Sequence, residues 1–444
     1  MKQIKILFAN IPADGHFNPL TSLALHLKSI GHDVRWYAQD VYLDKLQNMQ
    51  IPHYPFKKAK QFNQFTVDEN FPERKKINNK ISKLNFDLKY FFISQGPLFF
   101  EDIKQIQSSF DFDILICDSA FTGSPFVKEK LKKPVISISV FPLMETSRNL
   151  APYGLGMLPA VNWLGQWKQV VLRKISDKVL FRSSNKLMRK VLAEHGIITD
   201  KNVFDAMLFF ASRVLQSGTP GFEYFRSDMS KHIHFIGPLL PASKDKSTYT
   251  LPANFRYYSK KVLVTQGTVE KDPGKIIIPT LEAFRNTDVM VIVTTGGSQT
   301  AALRKSYPDE NFIIEDFIPF DEIMPACDVF ITNGGYGGVL MSIQHKLPMV
   351  VAGVHEGKNE ICSRVGYFEL GINLKTETPD PLLIRAAVKL VLQKNHYKNN
   401  VMMLREEFKK YDPLLLIEKH VNELTGTKKK DVKPVKKRKP ALIY

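Results

Sequence analysis

One grammar runs through the chain twice. A short apolar run ends in a loop rich in glycine, proline or aspartate, and a helical pattern then leads to the next apolar run. IKILFAN opens the first round, followed by a Gly- and Pro-containing loop, apolar positions at Leu20, Leu23, Ala24 and Leu27, a closing Gly31, and DVRWYA. Further runs are DILICD at 113–118 and PVISISV at 134–140. The second round starts with KKVLVTQG at 260–267 and a helix around 275–286, then VMVIVTTGG at 289–297, DVFITNGG at 328–335 and PMVVAGV at 348–354. Near-continuous apolar strands alternating with helices specify parallel sheets covered on both faces. Two rounds predict two Rossmann-like α/β domains, and 444 residues is the length of two such units. The polar, proline-bearing segment HFIGPLLPASKDKSTYTLP places the boundary near 240–252.

No stretch approaches the roughly 20 apolar residues of a membrane-spanning helix. Lys5, Asn10 and Asp14 interrupt the N-terminal run, so it reads as a strand and not as a signal peptide. Cys117, Cys327 and Cys362 are far apart and lack metal-ligand spacing, which fits a reduced, cytoplasmic protein. The net charge is +18, of which KKKDVKPVKKRK at 428–439 supplies +7 and the rest +11. Such a tail predicts disorder over 428–444 and solubilises the chain; adhesion to an anionic membrane or nucleic acid is the alternative.

Ligands of parallel sheets bind beyond the carboxyl ends of the strands. In the first half, Gly15 permits a close backbone approach and His16 follows the first strand, where an imidazole can take a proton near neutral pH. A loop histidine bonded to the backbone is the other reading. Asp118 closes its strand at the same sheet edge, either orienting His16 or capping a helix. In the second half, Asn333-Gly334-Gly335-Tyr336-Gly337-Gly338 lies between a strand and a helix, so uncovered N–H groups and the helix dipole can meet phosphate. Gln266, Gly267 and Thr268 reach toward the same place. No G-x-G-x-x-G follows the first strand and no P-loop is present. Asp111-Phe112-Asp113 has D-x-D spacing but sits at a strand start, away from ligands, so no metal site is expected.

GHFNP at 15–19, the strand end at Asp118, TQGT at 265–268 and FIPF…TNGGYGG at 317–338 resemble the family 1 inverting glycosyltransferases, within them the bacterial macrolide type. The resemblance implies the GT-B fold, two Rossmann-like domains with parallel sheets facing a central cleft. It implies an acceptor-binding domain at 1–240, a nucleotide-sugar-binding domain at 253–410 and a helix at 411–427 packing back toward the first. His16 matches the catalytic base and Asp118 its partner. Phe317 falls where the family stacks a tryptophan on the nucleotide base, and Ile318 offers its backbone to the base edge. Asn333 replaces a phosphate-binding histidine, and Gly337 and Gly338 leave the α-phosphate to backbone N–H groups. Met341 stands where a carboxylate usually holds the ribose hydroxyls. Gly357 and Lys358 stand where an acidic–amide pair holds the sugar, with Glu356 or Glu360 nearby as substitutes. The co-substrate implied is a UDP-sugar, with a dTDP-sugar as the alternative; no cofactor is implied.

Phe17, Phe91, Phe121, Phe141 and Met144 suggest an apolar pocket for a hydrophobic small-molecule acceptor. Each taken singly fits the core better; it is the group near the proposed site that favours a pocket. Residues 163–192 mix Trp163, Trp167, Val170, Val171 and Ile175 with eight basic residues, the pattern of a solvated covering helix or of one lying on an anionic membrane. The function expected is hexosyl transfer to a small molecule, without nucleic acid. A peripheral-membrane lipid glycosyltransferase, or a nucleotide-sugar-binding protein without turnover, are the alternatives.

Overall fold

The computed structural model describes residues 2–62, 66–240, 249–267, 269–355 and 357–426. Thr268, Glu356 and the tail at 428–444, all singled out by the sequence, lie outside the described residues.

The first half forms β1 (Lys5–Ala9), β2 (Asp33–Ala38), β3 (His53–Pro55), β4 (Ile114–Asp118), β5 (Val135–Ser139), β6 (Arg213–Ser217) and β7 (Ile233–Gly237), in the order β3-β2-β1-β4-β5-β6-β7. The second forms β8 (Lys260–Thr265), β9 (Val289–Thr294), β10 (Phe312–Glu315), β11 (Val329–Thr332), β12 (Met349–Val351) and β13 (Gly371–Asn373), in the order β10-β9-β8-β11-β12-β13. Neighbouring strands pair in parallel, for example Phe8 with Ile116 and Ile331 with Val264. Strand order reverses between β1 and β4 and again between β8 and β11, so each half has its crevice there. This is the two-sheet GT-B architecture.

Both faces of each sheet are covered, which explains the unbroken apolar runs: β4 and β5 are buried at every position. Two departures from the sequence reading bear on function. The first helix begins at Asp14, not after Pro19, so His16 lies in its first turn. The 163–192 pattern is not one helix; it breaks at 176–181 into Trp163–Ile175 and Arg182–Glu194.

The chain ends by returning to its first half. Asp412 caps the Pro413–Leu424 helix through the N–H groups of Leu414 and Leu415, 3.0 and 3.1 Å away. Ile417 and Val421 are fully buried in one cluster with Leu20 and Leu23. Under this helix the rings of His234 and His420 lie 4.8 Å apart. Burial, then the neighbouring His234, pushes His420 down to about 4, and burial also lowers His234. Between pH 6.5 and 4 the unfolded chain therefore binds a proton at position 420 that the folded chain resists, so stability falls as pH falls through that window. Thermal unfolding from pH 7 to 4 is expected to show this decline, and His420→Gln to flatten it.

Candidate active site

Asp118 is fully buried, at the end of the strand next to β1. A buried carboxylate must be hydrogen-bonded, and three N–H groups converge on this one. Oδ2 accepts from the backbone of Ile11 at 2.8 Å, while Oδ1 accepts from that of Ala120 at 2.9 Å and meets Nδ1 of His16 at 2.8 Å. An ionised carboxylate only accepts, so Nδ1 carries the imidazole proton and Nε2 keeps its lone pair. The His16 backbone is held in the first helical turn, its N–H donating to Ala13 O at 2.9 Å. The His16 side chain is 20 % exposed, which leaves an edge open to a reactant.

Of the proposed acceptor contacts, Phe141 alone is recorded against His16, its ring 5.8 Å away and partly exposed. Phe17, Phe121 and Met144 belong to the buried core instead. Phe17 is fully buried, stacked 4.1 Å from Tyr42. Phe121 packs on Phe99 and Tyr37, and Met144 is 5 % exposed in the same core. Phe91 belongs to an aromatic cluster with Phe62, Phe71 and Phe86. Sheet-facing aromatics of a parallel α/β layer fill the space under helices, which the residue types alone cannot distinguish from a pocket.

In the second half, β11 runs into Asn333 and the glycines, and the Tyr336–Gln344 helix starts with Gly335 as its cap. Gly334 has φ +80°. A Cβ there would clash with Sγ of Cys362, whose thiol burial pushes up to about 12. Nothing lies within 4 Å of a Cβ built on Gly337. The first N–H groups of this helix have no partner within it and carry its positive pole into the crevice. Gly334→Ala is expected to destabilise the fold by roughly 2 kcal/mol or more, since left-handed strain and the clash add. Thermal unfolding by calorimetry checks this.

Phe317 is 67 % exposed beside Gly297, open to a flat ligand, and Ile318 beneath it is buried. Gly267 has φ +75° with open space around it. Three other residues are committed within the protein. The Gln266 amide donates to Asp272 O at 2.8 Å and accepts from the N–H groups of Ile276 and Ile277, so the side chain starts the Ile277–Phe284 helix at the wall of a small cavity that Lys358 also lines. Asn333 Nδ2 donates to the Gln266 carbonyl. The Tyr336 hydroxyl donates to Ser217 O at 2.7 Å, across the two halves. That bond sets the carboxyl edge of β6 against the helix following β11.

Lys358 opens the Lys358–Tyr367 helix after Gly357, at φ +77°. It lines a small cavity with Asn333, Glu270, Lys275 and Glu377, the last three of which the sequence reading missed. Lys275 bonds Glu270 and lies 3.4 Å from Glu377. Burial works against both carboxylates, but Lys275 holds Glu270, and His355 holds Glu377, below the usual range. No motif joins positions 270, 275 and 377. Glu360 is not available as a sugar ligand: it is buried, accepts from Gly154 and Gly156 N–H at 2.8 Å each, and pairs with Arg364. Asp111 pairs with Lys133, and Asp113 accepts from the Lys5 N–H, which accounts for the D-x-D spacing.

Residues 279–414 match the C-terminal domain of the erythromycin biosynthesis protein CIII-like family. The 4'-demethylrebeccamycin synthase of Lentzea aerocolonigenes is 32 % identical over 416 residues, which are 93 % of this chain and 97 % of that one. The chain belongs to the family 1 glycosyltransferases. The glycosyltransferase is also 27 % identical to UDP-glycosyltransferase 2 of Phaeomoniella chlamydospora, over 95 % of this chain and 96 % of that relative. The calicheamicin glycosyltransferase CalG4 superposes with a TM-score of 0.75 at 17 % identity, covering 98 % of this chain and all of that one, a likeness of fold.

Proposed function

We propose that this glycosyltransferase moves a sugar from a nucleoside-diphosphate sugar to a hydroxyl of a hydrophobic small molecule, with inversion at the anomeric carbon. The 2.8 Å bond from His16 to buried Asp118, at the strand-order reversal, carries the reading. His16 Nε2 takes the acceptor hydroxyl proton as that oxygen attacks the anomeric carbon, and Asp118 stabilises the imidazolium that forms. The bond to the diphosphate oxygen breaks on the opposite face, through an oxocarbenium-like transition state. The negative charge gathering on the leaving diphosphate is met by the N–H groups and dipole at Tyr336, Gly337 and Gly338. Exposed Phe317 supplies a ring for the nucleotide base.

The relative named as a UDP-glycosyltransferase favours a UDP-sugar. Met341, partly buried in that helix, offers no carboxylate to a ribose and favours a deoxyribose donor, which keeps a dTDP-sugar as the alternative. The rebeccamycin synthase relative and the erythromycin biosynthesis family carry natural-product names, which supports an aromatic or polyketide-like acceptor. Incubation with UDP- and dTDP-linked α-sugars and a phenolic acceptor, followed by mass spectrometry and NMR of the product, tests the proposal. A gain of one sugar in β-linkage supports it. An α-linked product overturns the inverting mechanism, and donor binding without turnover across a broad acceptor panel overturns the transferase assignment to small molecules.

A further inference from the structure

The Trp163–Ile175 helix is amphipathic the wrong way round. Its inward side is polar: Gln169 is 3 % exposed and donates to Leu158 O at 3.0 Å, Arg173 donates to Leu150 O, and Ser176 just beyond is buried. Its outward side is apolar, with Trp163 74 %, Leu164 57 %, Trp167 66 % and Val170 38 % exposed. Positions 163, 167, 170 and 174 form one stripe and 164, 168, 171 and 175 the stripe beside it, and each stripe contains one lysine, Lys174 and Lys168. A contiguous apolar face on the outside of a protein marks an interaction surface.

Charge identifies the partner. Residues 163–192 hold eight basic side chains and one acidic, Asp177. Two copies meeting through this face would oppose like charges in an isologous contact. An anionic bilayer leaflet attracts the same charges, and tryptophan and lysine are the side chains that settle at its boundary, rings at the headgroups and ammonium groups on the lipid phosphates. We propose that this helix docks the glycosyltransferase on anionic membrane surfaces, with Trp163 and Trp167 entering the headgroup layer and Lys168, Lys174 and Lys178 on the phosphates.

The third tryptophan, Trp36, is fully buried, so a change in tryptophan emission on binding reports on this helix. The full chain is floated with vesicles of phosphatidylcholine alone and of phosphatidylcholine mixed with phosphatidylglycerol. Binding to the mixed vesicles only, with emission moving to shorter wavelength and weakening as salt is raised, is the expected result. Lys168→Glu with Lys174→Glu, and separately Trp163→Ser with Trp167→Ser, should each weaken vesicle affinity about tenfold or more, while transfer to a dissolved acceptor is unchanged. Deleting 428–444 separates the helix from the basic tail. Binding that is lost on that deletion yet survives the tryptophan substitutions overturns the proposal. So does the absence of binding to either vesicle, or a dimer in sedimentation that the tryptophan substitutions disperse.

Discussion

Replacing His16 with alanine is expected to lower kcat for sugar transfer by about 10²–10⁴-fold, the usual contribution of a positioned general base, while donor affinity stays within a few-fold. The split follows from placement: His16 stands on the first sheet's crevice, and the glycine loop proposed to meet the diphosphate stands on the second. Asp118→Asn is expected to lose a comparable factor for a different reason. The carboxylate accepts three N–H groups, from Ile11, Ala120 and His16. An amide has one accepting oxygen, and its NH₂ would face either a backbone N–H or Nδ1. Facing Nδ1, it would turn the imidazole to the tautomer whose Nε2 is protonated, and the base would be lost. Single-turnover kinetics at saturating donor separates this from binding. If His16→Ala retained kcat within threefold or so of wild type, His16 would not be the base.

Arg364→Met is expected to destabilise the protein by about 3–5 kcal/mol, and to lower the thermal midpoint by about 10 °C. Arg364 is 1 % exposed and bonds Glu223 from the first half and Glu360 from its own helix, 3.1 Å from the latter. Burial works against its charge, but the two carboxylates outweigh burial and raise its pKa above the ordinary arginine value. Without the guanidinium, both carboxylates would remain in the interior without their main counter-charge. Converting Glu223 and Glu360 to glutamine in the same variant should recover part of the loss, since the penalty belongs to uncompensated charge. The same network ties Gly154 and Gly156 to Glu360, so the variant also loosens the 150–157 segment against the second half. By contrast, breaking the exposed Lys409–Glu406 pair should cost less than about 1 kcal/mol. Differential scanning calorimetry of the three variants checks the ordering.

The features that could be read from the chain were those that a few neighbouring residues dictate on their own. Buried strands need unbroken apolar runs, and β1, β4, β5, β8, β9, β11 and β12 were visible for that reason. Short β3, which ends in proline, and β13, whose sequence is GIN, carry no such signal, because neighbouring strands supply their pairing. The glycines at 334–338 were legible because left-handed backbone and uncovered N–H groups restrict residue type locally. What crossed the chain was decided only by folding. His16 and Asp118 are 102 positions apart and meet because β1 and β4 are neighbours. Gln266 holds a helix start, and Glu360 faces Arg364 instead of a sugar. Side-chain type states what a group can bond, whereas the order of the strands and the packing of two halves state which partner it reaches first. The Trp163–Ile175 helix makes the same point. Its periodicity announced two faces, and only the tertiary structure turned the polar one inward, because Gln169 and Arg173 found backbone carbonyls to satisfy there.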